Sequence, residues 1–185
     1  MPEIEFDPVD TIVAGAVGVP GRRTFFIQAS KDGQLLSVLV EKEQVAILVE
    51  RVAQLLEQMA EQLPEGGVGP ALSAGHPSVA GIEGDPVPLF RAVAIGIGFD
   101  PTRHMVLIEL HERPVSEDDE QEAPAAEAEP EGYLARLYAT PAQARVMAEH
   151  GSAAVTSGRP PCPLCGNPLD PEGHVCPKLN GHARR

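Results

Sequence analysis

The sequence predicts an α+β fold: an antiparallel sheet built from two halves, each with strands followed by a helix, and a C-terminal zinc knuckle. Three observations support this prediction. Short apolar runs separated by Gly, Pro and Asp indicate strands joined by tight turns. One long segment has the three- and four-residue apolar spacing of a helix. All three cysteines lie between residues 162 and 176, which indicates an appendage with its own chemistry.

The first half is predicted to be a three-stranded meander followed by a helix. The run TIVAGAVGVPGRRTFFIQAS contains two strands joined at Pro20-Gly21, and QLLSVLVE follows Asp32-Gly33, a pair that favours tight hairpins. The next segment has helical periodicity over residues 43–62. Its apolar stripe consists of Val45, Leu48, Val49, Val52, Leu55, Leu56 and Met59. Such a stripe is expected to cover a sheet.

The second half is predicted to begin after a Gly- and Pro-rich loop at residues 64–89. Residues 90–113 form a hairpin that turns at residues 100–103, and one face of its first strand is apolar. That face comprises Val93, Ile95, Ile97 and Phe99. After an insertion, the run YLARLYA forms a last strand, and Thr140-Pro141 begins a helix that extends to about Glu149.

An internal similarity links the two halves. The segments SVLVEKEQVAILVERV and ARLYATPAQARVMAEH both run from a strand through a polar cap and a glutamine into a helix. The predicted organisation is an α+β domain whose first part is residues 1–113 and whose last strand and helix are residues 133–157. Residues 114–132 are a disordered acidic insertion within it, and residues 158–185 are the zinc-knuckle tail.

The net charge of −13 is unevenly distributed along the chain. Residues 1–113 carry 16 acidic and 8 basic side chains, and residues 114–132 carry eight acidic and no basic ones. Only residues 133–185 are basic, with six basic and three acidic side chains. A duplex-binding protein presents a dense basic face to the phosphates, so strong nucleic-acid binding is not expected.

The sequence predicts a cytoplasmic location. The N-terminal segment MPEIEFDPVD is acidic and does not resemble a secretory leader. No apolar stretch approaches the roughly 20 residues that a membrane span requires, so no membrane association is expected. Three cysteines is an odd number, and two of them form a C-x-x-C pair, which favours metal binding in a reducing compartment over disulfides.

The cysteine segment CPLCGNPLDPEGHVCPKLNGH has the composition of a zinc site. Zinc takes about four ligands in a tetrahedron, drawn from thiolate sulfur and imidazole nitrogen. Cys162 and Cys165 can meet at one point because C-x-x-C forms a tight turn, and Cys176 supplies a third sulfur. Either His174 or His182 completes a Cys₃His set.

Zn²⁺ in this segment is expected to be structural. Four protein ligands close the coordination sphere, whereas catalytic zinc keeps an open position for water. A tail of this length has almost no core, so metal binding would supply its folding energy. The alternatives are free thiols on a flexible tail and a C-x-x-C redox pair, for which the usual helix start is missing.

Several segments together resemble one family. They are GVPGRRTFFIQA, VLVEKEQV, the acidic insertion and GRPPCPLCGNPLDPEGHVCPKLNGH. These resemble an uncharacterised actinobacterial group of proteins, domain of unknown function 3090, over nearly the whole chain. The resemblance brings no established activity. It implies that the position of His182 often holds tyrosine, which makes His174 the better fourth ligand.

Three functional hypotheses follow, of which the first is preferred. The chain is a non-enzymatic adaptor whose partner is another protein, because a metal site is specified but no catalytic set is recognisable. Alternatively, it binds or acts on an anionic small molecule in a cleft between the two halves, through Arg22 or Arg23. The third hypothesis is a nucleic-acid-associated, repair-type protein that uses its basic tail. The tail residues concerned are Arg159, Lys178, Arg184 and Arg185.

Two further groups of residues are expected to be structural. Gly15, Gly18 and Gly21 form G-x-x-G-x-x-G, but a strand follows instead of the helix that a dinucleotide site requires, so a hairpin turn is predicted. On the strand of residues 104–111, Glu109 and His111 share a face and His104 does not, which excludes a three-ligand site. Glu109 and His111 are interpreted as polar neighbours on an edge.

Overall fold

The computed structural model describes residues 2–62, 81–113, 132–158, 162–167, 169 and 176–179. Within these ranges the secondary-structure elements are β1 Glu3–Phe6, β2 Thr11–Val17, β3 Thr24–Lys31, β4 Gln34–Val40, α1 Lys42–Gln62, β5 Phe90–Arg91, β6 Ala94–Asp100, β7 Met105–His111, β8 Leu134–Ala139, α2 Pro141–Thr156 and a 3-10 turn Pro177–Leu179. Nearly all of the predicted acidic insertion lies outside the described residues, as does most of the predicted loop. Residues 81–89 of that loop form neither helix nor strand.

The described strands form two four-stranded sheets, not one antiparallel sheet. Their orders are β1-β8-β7-β6 and β2-β3-β4-β5. The meanders β2-β3-β4 and β6-β7-β8 are antiparallel, as predicted, but β1 pairs in parallel with β8, and β5 with β4. The antiparallel prediction is therefore correct for the meanders and wrong for β1 and β5. Strands β1 and β5 are four and two residues long, too short for their alternation to be recognised in sequence.

The two halves exchange their first strands. Each half runs strand, meander, helix, as β1-β2-β3-β4-α1 and β5-β6-β7-β8-α2. The first strand of each half lies beside the last meander strand of the other half. Swapping the labels of the halves converts one sheet order into the other. The similarity between the two strand–cap–helix segments thus corresponds to a repeat of the whole architecture.

Hydrogen bonds recur at equivalent positions of the repeat. Gln44 Nε2 donates to the two carbonyls that follow β5, at 3.2 and 3.1 Å. Gln143 Nε2 donates to the two carbonyls that precede β2, at 3.0 and 3.1 Å. The acceptors are Ala92 and Val93 in one case and Val9 and Asp10 in the other. Each glutamine therefore ties the start of a helix to the connector after the exchanged strand.

Two tight turns join the strands of the first meander. Asp32 and Gly33 both have positive φ, 48° and 78°, as the predicted type of hairpin requires. At the Pro20-Gly21 turn, the N–H of Arg22 donates to the carbonyl of Val19 at 2.9 Å. Both predicted turns are present. In the second half, residues 90–113 are not one continuous hairpin, because Phe90–Arg91 pairs with the other sheet before β6 begins.

Helix α2 begins where the sequence predicts and ends later. Thr140 is its N-cap in a reciprocal capping box with Gln143, and Pro141 is the first helical residue. The helix continues seven residues beyond Glu149 because Gly151 does not end it. A Cβ atom on Gly151 would lie 2.9 Å from Val49 of α1, so this glycine permits close packing of the two helices.

One core unites the two halves. The buried residues of α1 and α2 pack with those of both sheets. The largest fully buried side chains are Ile27, Ile108, Leu110, Leu137, Met147, Val38, Val45, Val52, Val106 and Cys176. Within the described ranges, no helix combines the length and apolarity needed to cross a bilayer.

Candidate metal centre

The segment from Cys162 to Asn167 forms a tight turn that holds two of the three cysteines. The N–H of Cys162 donates to the carbonyl of Asn167 at 2.7 Å, and the N–H of Gly166 donates to the carbonyl of Cys162 at 2.8 Å. Gly166 has a φ of +76°, in the left-handed region that glycine adopts without a Cβ clash. The sequence C-P-L-C-G-N thus folds back on itself immediately after its second cysteine.

Cys176 joins this turn from a separate segment, directly before the 3-10 turn. The three Sγ atoms lie within 4.8 Å of one another. Cys162 is 6% exposed, Cys176 is 1% exposed, and Cys165 is half-buried. Tetrahedral zinc with Zn–S bonds of about 2.3 Å places its sulfurs about 3.8 Å apart. The three thiols therefore fit a common metal ion after adjustments of about 1 Å or less.

The backbone of the turn distinguishes the two thiols of the C-x-x-C pair. The pKa of Cys162 is lowered, chiefly because the N–H of Cys165 donates to its sulfur, with a further contribution from the N–H of Leu164 at 3.4 Å. The pKa of Cys165 is raised, chiefly by desolvation. N–H···S hydrogen bonds favour the thiolate, which is the form that binds metal. Of the two thiols, Cys162 therefore more readily adopts the thiolate form that binds metal.

Both histidines proposed as the fourth ligand, His174 and His182, lie outside the described residues. The structure thus brings together the three predicted sulfur ligands, and the choice of imidazole stays a prediction. Of the basic tail residues, Lys178 is exposed and the other three lie outside the described ranges.

The glycine motif forms a turn, as predicted. Gly15 lies within β2, where a Cβ atom would meet Ile82 at 3.0 Å. Gly18 and Gly21 have φ values of +107° and +94° in the turn between β2 and β3. The element that follows is a strand, so the helix N-terminus of a dinucleotide site is missing at this position.

The two arginines beside this turn have different environments. Arg22 is exposed. Arg23 is half-buried, and its Nη1 donates to the carbonyl of Ala154 at 3.1 Å and to Ser157 Oγ at 2.8 Å. A cation at this position satisfies one carbonyl in the last turn of α2 and complements the helix dipole. Arg23 therefore has a structural role at the junction of the two halves.

Glu109 and His111 share one face of β7, as predicted, with Glu109 Oε2 and His111 Nε2 4.0 Å apart. Arg136 Nε donates to Glu109 at 2.9 Å. Strand β7 pairs with β6 on one side and β8 on the other, so the interpretation of an edge position is wrong. His104 lies in the preceding turn with a φ of +54°.

Sequence reasoning missed Lys42 and Arg91. Both line a cleft together with Arg23. Lys42 begins α1, and Arg91 is brought beside the end of β4 by the parallel pairing of β5. A lysine at a helix start and an arginine in a two-residue strand carry no sequence signal for a site. Only the exchange of strands between the halves places them together.

No curated protein and no solved structure matches this chain. One family model does match, over residues 4–176, a range that contains both helices, all three cysteines and both sheets except Glu3, the first residue of β1. The chain therefore belongs to the family described as Protein of unknown function (DUF3090).

Proposed function

We propose that this protein binds one structural Zn²⁺ ion through Cys162, Cys165, Cys176 and His174, and that the metal-stabilised tail mediates contacts with another protein in the cytoplasm. The observation that carries the metal proposal is the convergence of three sulfur atoms within 4.8 Å, two of them on buried cysteines. Thiolate-rich donor sets favour zinc over magnesium and calcium, which prefer oxygen. Three thiolates and an imidazole leave no open position for substrate.

Elemental analysis of the freshly isolated, reduced protein tests the metal site. We expect about one zinc ion per chain for the wild type, and about a tenth of that or less for Cys162→Ser and Cys176→Ser, since each removes an anionic ligand. His174→Ala is expected to lose zinc similarly, whereas His182→Ala serves as its matched control and retains it. Zinc-free wild-type protein would contradict the proposal, and loss of zinc from His182→Ala alone would reassign the fourth ligand.

The proposed role in protein interaction follows from the structural effect of a closed metal site. Such a site fixes a short segment that lacks a core of its own, and so presents its surface residues in a defined arrangement. Leu164 lies between the two ligands of the C-x-x-C pair and is 39% exposed. An exposed apolar side chain on a rigid turn is suited to insert into a pocket on a partner protein.

Chemical crosslinking in the native cells, followed by recovery of the tagged full-length protein, tests this role. We expect a defined set of proteins with the wild type and their loss with Leu164→Asp, which leaves all four ligands in place. Zinc content of the same samples serves as the control for the metal site, and Lys178→Ala serves as a second surface variant that retains the partners. Recovery of the same proteins with Leu164→Asp would contradict a partner site on this turn.

A further inference from the structure

A cleft with a volume of about 510 Å³ lies at the junction of the two halves. Its walls come from the start of β3, the end of β4, the start of α1, strand β5 and the C-terminal end of α2. Phe25, Leu39, Val40 and Val155 supply apolar surface. Volumes of about 300–1,000 Å³ are typical of small-molecule sites.

The charge of this cleft is opposite to that of the protein. Arg23, Lys42 and Arg91 line it, which are three of the eight basic residues in positions 1–113. Among the described lining residues, Glu41 supplies the one carboxylate. The lining thus carries two net positive charges, whereas the whole chain carries −13. Positive charge concentrated in a concave site attracts anions.

The three cations differ in how the protein already uses them. Arg23 is tied to the end of α2. Arg91 forms an ion pair with Glu41, but both side chains are more than half exposed, and such pairs contribute little to stability. The ammonium group of Lys42 has no hydrogen-bond or ion-pair partner within the described part of the chain. Lys42 and Arg91 are therefore the cations that can turn to a ligand at little cost.

The equivalent location in the second half is filled by the protein itself. The backbone carbonyls of Tyr138 and Leu39 each accept a hydrogen bond, at 2.9 Å, from an N–H of the connector that follows an exchanged strand. The two residues therefore occupy equivalent positions in the two halves. The guanidinium of Arg103 lies 4.7 Å from the centre of the Tyr138 ring. It also pairs with Asp7 at 2.8 Å and with Asp100 at 2.6 Å. At the Tyr138 location, the protein's own carboxylates thus neutralise Arg103. At the Leu39 location, the cleft stays open and positively charged.

We propose that this cleft binds a small molecule that has a phosphate or carboxylate group attached to an apolar body. The anionic group pairs with Lys42 and Arg91, and the apolar body packs on Phe25, Val40 and Val155. Because none of these residues is a candidate metal ligand, this proposal does not depend on the zinc site. It also gives the anion-binding hypothesis a location, at which Arg23 contributes charge and Arg22 does not line the walls.

NMR titration of the isotope-labelled, full-length protein tests the proposal with three probes. Phenyl phosphate has both an anionic group and an apolar ring. Inorganic phosphate has the anion alone, and phenol has the ring alone. We expect phenyl phosphate to bind most tightly and to shift backbone signals of residues 23–25, 39–42 and 91. Benzoate in a fourth titration distinguishes carboxylate from phosphate recognition. Signals that shift equally across the surface, or not at all, would overturn the proposal.

One substitution that removes a positive charge and one that removes a negative charge should change ligand affinity in opposite directions. A folding defect would weaken binding in both variants. Lys42→Ala is expected to weaken phenyl phosphate binding by about fivefold, the loss of one solvent-screened charge-assisted contact. Glu41→Gln should strengthen binding, since it removes the one carboxylate of the lining and releases Arg91. Arg51→Ala, at an exposed position later on α1, is the matched control and should leave affinity unchanged. Equal weakening by Lys42→Ala and Arg51→Ala, or weaker binding by Glu41→Gln, would contradict the assignment.

Discussion

The two halves share one framework, yet α2 covers β2 more completely than α1 covers β6. On β2, Ile12 is 7% exposed and Ala14 is fully buried. The equivalent residues of β6, by their register with the second meander strand, are Ile95 and Ile97. Both are only partly buried, and a groove of about 180 Å³ runs between them and α1.

The size of the side chains at the contact explains this difference. Where α2 meets β2, a Cβ atom added to Gly151 would lie 3.3 Å from the Cβ of Ala14, so two small residues allow a close approach. The equivalent positions in the other half hold Val52 and Ile97. Bulkier residues hold a helix further from a sheet, because close-packed side chains cannot overlap. The same framework therefore leaves a groove beside α1, whereas the small residues beside α2 allow closer packing.

Truncation of the equivalent isoleucines is the strongest test of this comparison. Ile12→Ala should lower the free energy of unfolding by about 3 kcal/mol, because it leaves a cavity beneath α2. Ile95→Ala should cost about 1 kcal/mol, since its side chain already borders open space. Urea denaturation of the full-length protein measures both, and each variant is the control for the other. Equal losses would contradict a difference in packing between the halves.

A smaller effect is expected at the turns, where the halves also differ. The β2–β3 turn is held by a backbone hydrogen bond, whereas the equivalent β6–β7 turn is held by the Asp100 carboxylate, which accepts from the N–H groups of Thr102 and Arg103. These bonds, chiefly that from the Arg103 backbone, lower the pKa of Asp100 from its ordinary 3.8. A lowered pKa in the folded state stabilises the protein above the unfolded pKa, and this stabilisation is lost as the pH falls through the folded value.

Asp100→Asn should therefore be less stable than the wild type at neutral pH, and the gap should close as the pH falls below 3.8. Urea denaturation from about pH 7 to pH 2 measures the gap across this window. The control is Asp85→Asn, an exposed carboxylate with no hydrogen bond in the described part of the chain. A gap that stays constant over the whole range would show that the charge of Asp100 does not stabilise the turn.

The elements with strong local signals were predictable from the sequence. The helix predicted over residues 43–62 is Lys42–Gln62, and the N-cap at Thr140 is confirmed. The predicted end of α2 was wrong because Gly151 allows the two helices to pack closely, a role that local helix propensity does not reveal. The parallel pairs of β1 and β5 were missed since their partners in β8 and β4 lie roughly 130 and 50 residues away.

The candidate sites show the same division. The three cysteines were predictable as a cluster because C-x-x-C fixes two sulfurs locally and one further cysteine remained in the tail. Lys42 and Arg91 were not predictable as neighbours, since only the exchanged strand β5 brings them together. The interpretation of Glu109 as an edge residue failed for a related reason: the strand order was not available from local patterns.

The optical spectrum of the Co²⁺-substituted protein tests the central claim, a closed tetrahedral thiolate site, most directly. One Co²⁺ per reduced chain should give intense thiolate-to-cobalt charge transfer and the ligand-field bands of tetrahedral geometry. Both should disappear on addition of Zn²⁺ and be unaffected by azide, because four protein ligands leave no position for it. The weak spectrum of octahedral aqueous cobalt would contradict the metal site, and bands that move with azide would contradict its closure.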